Sequence, residues 1–320
     1  MDNLPKTGAV PPDYPPVIKP PGRGFSLLPM ANPFGAPVYY RDTVDSTMDA
    51  ARTLGGPPES SDLPHGTVIA AGYQSAGRGR SGRPWNMDRG SNLPLTVILR
   101  YPAIAAIPPG LTLRTGLALS LAVEDFVQAA VPGGKTLAGR VKVKWPNDIM
   151  LIQQISPEGG KKAAGILAET AGFSGDSGGG RVYLGVGVNI AQRDFPPELR
   201  HRACSIAGTL YPERSETERT GAETGAAALV QGRFILLEKF LARLYAELEG
   251  PPDPAPGKSW RERLLERLYM RGRPVRFIPG AAGSGHAVEG ILAGIGAAGE
   301  LLITLDGEDR PFVTGELDIY

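Results

Sequence analysis

Beyond Val38 the chain alternates short apolar, β-branched runs with longer stretches of helical spacing. Residues 67–73, 95–100, 141–145, 149–152 and 182–188 are such runs, each bounded by Gly, Pro or Asp, and they predict strands. Residues 111–127 are apolar on nearly every face, which predicts a helix buried in a large core. A second helix is predicted over about 226–249. There Leu229, Phe234, Leu237, Leu241, Leu244 and Leu248 fall near one face. Arg233, Glu238, Lys239, Arg243 and Glu247 take the other, and mixed charges of that kind form a solvated face. After a short helix at about 259–270, strand-like runs at 275–278, 287–292, 301–305 and 311–314 alternate with glycine-rich turns, the pattern of a small β-barrel. The fold class expected is α+β.

Proline and glycine divide this pattern. Prolines at 5, 11, 12, 15, 16, 20, 21, 29 and 33 forbid helix interiors, so residues 1–36 read as an extended, poorly ordered tail. Residues 154–160 and 174–180 read as surface insertions, 212–225 as a polar loop, and 251–257 (PPDPAPG) as a linker. The organisation expected is a tail (1–36), a main domain (37–270) and a small domain (271–320).

Composition narrows the function classes. The 320 residues suffice for a sizeable core, and a hydrophobic content of 42% with 21% charged residues is ordinary for a globular protein. A net charge of +1 gives no bulk attraction to nucleic acid. The single cysteine, Cys204, excludes an intramolecular disulfide and a cysteine-rich zinc site, and reads as a small buried apolar residue. No apolar run is read as reaching the roughly 20 residues of a membrane span. The N-terminus has no apolar signal region, so a cytoplasmic protein is expected.

Five segments could carry chemistry. Residues 77–85 (GRGRSGRPW) contain a formal G-x-G-x-x-G, but Pro84 and Trp85 follow where a dinucleotide fold needs a helix. Glycines that let backbone close over a ligand, with Arg78, Arg80 and Arg83 as donors, fit a phosphate instead. Residues 133–136 (GGKT) resemble the end of a Walker A loop, but its first glycine would fall on Ala129. Lys144-Trp145-Pro146-Asn147-Asp148 is either an ordinary turn or a strand end that presents Lys144, Asn147 and Asp148 to a ligand or a hydrated Mg²⁺. Lys161 and Lys162 precede a small-residue strand leading to Glu169. Glycines at 185 and 187, within the apolar GVGVN run ending at Asn189, mark close approach of a ligand or backbone. Asp45-Ser46-Thr47 also reads as a helix N-cap.

In this order the segments resemble the biotin–protein ligase family. DSTM at 45–48, Gln74, and the C-terminal GRPVRF (272–277), EGI (289–291) and FVTGE (312–316) fit the same pattern, so the resemblance covers roughly residues 38–320. It implies a class II synthetase-like catalytic domain, a mixed sheet flanked by helices, followed by an SH3-like barrel. It implies a two-step reaction, in which biotin and MgATP give biotinyl-5′-AMP and pyrophosphate, and the biotinyl group then passes to a lysine of a biotin carboxyl carrier protein. By resemblance Ser46, Thr47, Gln74, Gly77, Gly165 and Gly185 line the biotin pocket, together with Arg78 and Lys162. Arg78, Arg80 and Arg83 contact ligand phosphate, and Lys162 bridges the biotin carboxylate and α-phosphate. Lys144 is a second phosphate ligand. Asp148 serves Mg²⁺ or polarises the incoming amine. Trp85 packs on adenine, while Asn147 and Asn189 belong to the nucleotide site. The 77–84 loop is expected to order on the adenylate.

Met48 stands where the family often has Asn. The first 36 residues are too short for the winged helix-turn-helix of the repressor members, so no DNA-binding role is expected; homodimerisation carries over only weakly. A lipoate–protein ligase is the nearest alternative. A non-enzymatic nucleotide- or nucleic-acid-binding module, with Arg78, Arg80, Arg83 and Arg89 as its basic patch, is the other.

Overall fold

A computed structural model describes residues 24–318, apart from 57–62, 132–135, 154–158, 174–178, 213–215, 251–256 and 281–284. The chain runs through β1 (Ser26–Leu27), β2 (Val38–Val44), α1 (Thr47–Gly55), β3 (Thr67–Gln74), β4 (Asn92–Tyr101) and α2 (Leu111–Ala130). Then follow β5 (Val141–Lys144), β6 (Asp148–Ile152), β7 (Gly160–Ala171) and β8 (Gly180–Asn189). These strands form one eight-stranded sheet in the order β1-β2-β3-β4-β8-β7-β6-β5. β2 and β3 pair in parallel and the other neighbours antiparallel, so the sheet is mixed. β4 and β8 are buried along nearly their whole length at its centre. That explains why their sequences are continuous apolar runs rather than alternating ones.

Helices α3 (Ile206–Leu210), α4 (Glu216–Gln231), α5 (Arg233–Leu248) and α6 (Trp260–Leu265) follow. α2 packs on β5, β6 and β7 on one side and on α5 on the other. Residues 104–130 are long and apolar enough to cross a membrane, contrary to the reading that no such run exists. α2 nevertheless buries 12 of its 20 residues against the sheet and α5. An all-round apolar helix of this kind belongs to a large core.

The last five strands are β9 (Pro274–Pro279), β10 (Val288–Ile295), β11 (Leu301–Leu305), β12 (Glu308–Phe312) and β13 (Gly315–Asp318). They make a separate antiparallel sheet in the order β12-β11-β10-β9-β13. Trp145 joins the two sheets. Its Nε1 donates to the carbonyl of Gly299 at 3.0 Å, and its ring meets Phe277 edge-on.

Several elements differ from the expected pattern. The helix expected over 226–249 is two helices separated at Gly232, which lies against the Phe126 ring. α4 also occupies much of the loop expected at 212–225. Gly225 looks like a breaker, but a Cβ there would sit 2.4 Å from Tyr211, so this glycine admits a neighbouring ring. The helix expected to 270 stops at Leu265, because the next residues pair with a strand. The amide of Val143 donates to Arg267 O, that of Tyr269 to Val143 O, and the edge of β5 is thereby covered. β12 lies earlier than expected, and β13 was not foreseen.

The expected tail is shorter at its described end. β1 pairs with β2, and buried Asn32 donates to Ala36 O and Gly66 O. The β1 residues fall between prolines and so keep their donors. The start of the tail, most of both insertions, the GGK of residues 133–135 and most of the linker lie outside the described residues.

Candidate active site

One cavity of about 530 Å³ opens at the junction of the two sheets, within the usual range for a small-ligand pocket. Its inner end is built on α1. Ser46 is the residue before the helix, in an extended conformation, but its hydroxyl makes no capping bond. Gln74 at the end of β3 does the holding instead. Its Oε1 accepts from the amide of Thr47 at 2.7 Å and from its hydroxyl at 3.0 Å. Thr96 donates to Thr47 Oγ1 at 2.9 Å. At the far end of α1, buried Arg181 donates to the carbonyls of Gly55 and Gly56, which satisfies the orphan acceptors of the last turn. The polar pocket end is therefore held by buried groups that are themselves bonded.

The strands β7 and β8 form the floor. Gly165 and Gly187 face each other in register, and the Trp85 indole lies over both. A Cβ on Gly187 would come within 2.7 Å of that ring. Two residues along, Gly185 leaves room for the thioether of Met48, the residue at which the family pattern is broken. Bare backbone is required here by close approach, as the glycines of GVGVN imply.

The glycine–arginine segment is a closed turn. Gly79 N donates to Arg83 O at 2.7 Å, Trp85 N to Gly77 O at 2.9 Å, and Ser81 and Gly82 take positive φ. Ion pairs tether it on both sides. Arg78 makes a bidentate pair with Asp49 of α1 (2.5 and 2.6 Å), and this guanidinium holds the Asp49 carboxyl below its usual range. Arg83 pairs with Glu316 of β13. Arg80, half-buried, donates to Asn147 Oδ1 at 3.4 Å and Gly315 O at 3.5 Å, and its burial disfavours the charge.

The β5–β6 hairpin supplies the opposite wall. Its turn contains a cis Trp145–Pro146 bond, and Asn147 is fixed by donating to Ile166 O at 2.7 Å. Lys144 is buried, which pushes its pKa down to about 8; Lys162 and Arg202 add to the shift and Asp148 opposes it. Lys162 on β7 reaches Asp148 with Nζ 2.7 Å from Oδ1. Asn189 donates to Cys204 O, while its Oδ1 is buried without a protein partner. Cys204 itself is buried and its thiol is raised to about 12, which fits an inert core residue.

All the site residues named from sequence line this cavity except Gly77. Gly77 stands behind it, where a Cβ would strike the Gln74 amide. Gly187, marked by the sequence for close approach, also lines it, while sequence reading missed Arg202 and the C-terminal trio Glu316, Leu317 and Asp318. The FVTGE segment carried a family signal for Glu316 only. Among the described residues no three His, Cys, Asp or Glu side chains stand together as a metal cage. The carboxylates lining the cavity are Asp148, Glu316 and Asp318, and each pairs with a cation: Lys162, Arg83 and Arg276 respectively.

A pocket with a hydrogen-bonding end, an indole over a glycine floor and several lining cations suits an enzyme of the class that joins a small acid to a nucleotide. Comparisons agree. Residues 40–189 match the biotin/lipoate A/B protein ligase family. The bifunctional ligase/repressor BirA of Escherichia coli (strain K12) is 30% identical over 309 residues, covering 93% of this chain and 82% of that protein. The biotin–[acetyl-CoA-carboxylase] ligase of Paracoccus denitrificans is 32% identical over 237 residues, covering 73% of this chain and 82% of its own length. The solved biotin protein ligase from Aquifex aeolicus in complex with biotin and ATP superposes with a TM-score of 0.57 at 21% identity, covering 88% and 97% of the two chains. That likeness establishes the fold. The chain belongs to the biotin/lipoate A/B protein ligase family.

Proposed function

We propose that the chain is an ATP-dependent biotin–protein ligase that forms biotinyl-5′-AMP and passes the biotinyl group to a lysine of a biotin carboxyl carrier protein. The observation that carries this reading is the meeting of the glycine–arginine turn, the KWPND hairpin and Lys162 in one cavity. A carboxylate does not acylate an amine at neutral pH, because its oxygen is a poor leaving group. In the first step a biotin carboxylate oxygen bonds to the α-phosphorus, the bond to the bridging oxygen breaks, and pyrophosphate leaves with the electron pair. In the second the carrier amine attacks the carbonyl, loses a proton, and AMP leaves.

Ser46, Thr47 and Gln74 pair with the ureido head, while Gly165 and Gly185 let backbone close on the ring system. A ureido group can pair with polar groups at this pocket end, whereas a dithiolane offers them no comparable donors or acceptors; this favours biotin over lipoate. Lys162 offsets the charge developing between carboxylate and α-phosphate. Arg78, Arg80, Arg83 and Lys144 hold phosphate oxygens, with Arg78 beside the acyl junction. Trp85 covers the adenylate, and Asn147 and Asn189 belong to the nucleotide end; the buried Asn189 Oδ1 awaits a donor. Asp148 either takes part in holding Mg²⁺, whose role is to shield the phosphates, or polarises the amine.

The terminal sheet reads as an SH3-like barrel (271–320), and the catalytic unit as running from the β1 region to about 270, after a Pro-rich segment. Three of the four arginines of the alternative basic patch face carboxylates: Arg78 meets Asp49, Arg83 meets Glu316, and Arg89 meets Asp42. With a net charge of +1 and no bulk attraction to nucleic acid, the reading has no nucleic-acid partner. Cytoplasmic location and homodimerisation remain part of the same proposal.

Biotin-dependent exchange of labelled pyrophosphate into ATP tests the reading, with lipoate in parallel and Lys162→Ala as control. Exchange with biotin alone, lost in the variant, is expected. Exchange with lipoate alone would change the substrate, and none with either would remove the activity.

A further inference from the structure

We infer that Asp49 is a positioning residue for Arg78, holding its guanidinium in the orientation that meets the ligand at the acyl–phosphate junction. This rests on the ligase reading above. Asp49 lies in the first turn of α1 and is not among the residues lining the cavity, whereas Arg78 is. Arg78 Nη1 and Nη2 donate to the two carboxylate oxygens of Asp49 at 2.5 and 2.6 Å. Two parallel bonds fix the plane of a guanidinium as well as its position, which a single bond does not.

Asp49 is itself held. Arg52, one turn along α1, donates to Asp49 Oδ1 at 3.1 Å and also to Glu169 of β7. Glu169 in turn stands 4.0 Å from Arg78 Nε. Two arginines and two carboxylates thus close a ring in which the charges alternate. Its anchor is aromatic. The Arg52 guanidinium sits 5.1 Å from the centre of the Tyr183 ring, and Tyr183 is buried on β8 in register with Glu169. The ring ties together α1, β7 and the arginine turn, each of which supplies part of the cavity wall.

The turn needs such a holder. Gly77 and Gly79 flank Arg78, so the backbone there has little stiffness of its own. The holder also leaves donors over. Among the described residues, two of the five N–H donors of Arg78 go to Asp49 and Nε–H faces Glu169, so two remain for ligand oxygens. A guanidinium already in plane meets the charge that develops on those oxygens without reorganising. The four side chains are 30% to 49% exposed, and charge pairs that wet add little to global stability. Loss of the Asp49 charge therefore falls on the site and not on the fold.

The test uses the full chain as wild type, Asp49→Asn, Asp49→Glu, Arg78→Ala and the Asp49→Asn/Arg78→Ala double variant. Biotin-dependent pyrophosphate exchange is measured, and the Kd of synthetic biotinyl-5′-AMP is read by calorimetric titration, which needs no turnover. Asp49→Asn should lower kcat for exchange and weaken adenylate binding, each about tenfold, the size expected when a charge-assisted bond and the orientation it fixes are lost. Asp49→Glu, which keeps a carboxylate for the fork, should lose less. With Arg78 already replaced by alanine, Asp49→Asn should change Kd by less than about twofold, because nothing is left to position. Glu169→Gln repeats the comparison from β7 and should show the same dependence on Arg78, even where an Asp49 variant does not fold. An equal loss with and without Arg78 would mark a structural role and overturn the assignment. Tighter adenylate binding by Asp49→Asn would overturn it too, since the carboxylate would then be a competitor of the ligand. Absence of biotin-dependent exchange in the wild type would instead sink the ligase reading, and this assignment with it.

Discussion

Lys162 Nζ lies 2.7 Å from Asp148 Oδ1, so two side chains on neighbouring strands neutralise one another in the cavity. A substrate carboxylate entering there exchanges one anionic partner of Lys162 for another. Lys162→Ala should lower the exchange rate roughly 10²- to 10³-fold, the range seen when one preorganised donor to a developing charge is removed. Asp148→Asn should lose less in exchange, because the lysine remains. Rates at saturating ATP and biotin, with thermal unfolding as a check on folding, decide between these outcomes.

Lys144 couples the site to pH. Its pKa falls from the ordinary 10.5 to about 8 on burial. Below pH 8 it is protonated in both folded and unfolded chains, and the folded state bears the cost of the buried charge. Between about 8 and 10.5 the folded protein gives up a proton that the unfolded chain keeps. The contribution of this group to stability therefore rises with pH across that window. Nucleotide affinity should move the other way, falling above pH 8 as the cation is lost, with proton uptake on binding. Lys144→Arg should flatten the fall. Calorimetric titration at pH 7 to 9.5 in buffers of different ionisation heat reads both effects.

Gly187 carries the lid. Gly187→Ala would press a methyl into the Trp85 indole, 2.7 Å away, and the ring must shift. Overpacking of this kind costs about 1–3 kcal/mol. Release of biotinyl-5′-AMP from the variant should quicken, with a change in tryptophan emission. A variant that holds the intermediate as long as wild type would mean that Trp85 is not the lid.

The Arg83–Glu316 pair fastens the arginine turn to the terminal sheet. Both side chains are partly exposed, so the pair adds little to global stability. Its effect should be local. Glu316→Ala should make residues 77–84 cleavable by trypsin in the free protein, and adenylate should restore protection. Equal cleavage with and without ligand would count against an ordering turn.

Arg263 and Glu247 provide a test of the core instead. The Glu247 side chain is 3% exposed and is held by both terminal nitrogens of Arg263. Arg263→Met strands that carboxylate and should cost about 3–5 kcal/mol in denaturant unfolding. Replacing both residues with apolar ones should recover most of the loss.

Much of this architecture was legible in the chain. Strands buried on both faces announce themselves as unbroken apolar runs, and β4, β6 and β8 lie close to where those runs fall. The pocket was legible because it needs rare residues together: glycines for close approach, cations for phosphate. What stayed hidden depends on partners distant in sequence. Gly225 reads as a helix breaker until Tyr211 is seen against it. β13 has few β-branched residues and exists because β9 pairs with it. Arg202 belongs to no motif, and reaches the site through a backbone pairing with Lys162 that local pattern does not encode.

The central pairing of β4 with β8 has a kinetic consequence. Asn92 stands opposite Asn189, nearly a hundred positions further along the chain. That loop must close before either strand is rewarded, so formation of this register should be slow and come late. The same register sets Gly185 opposite Thr96, whose hydroxyl supports Thr47, and carries Gly187 two positions along. No partly folded form lacking the β4–β8 ladder can hold the ligand, and a bound ligand slows loss of that ladder. Substrate supply would then extend the lifetime of the protein itself, through the rate at which its middle strands part.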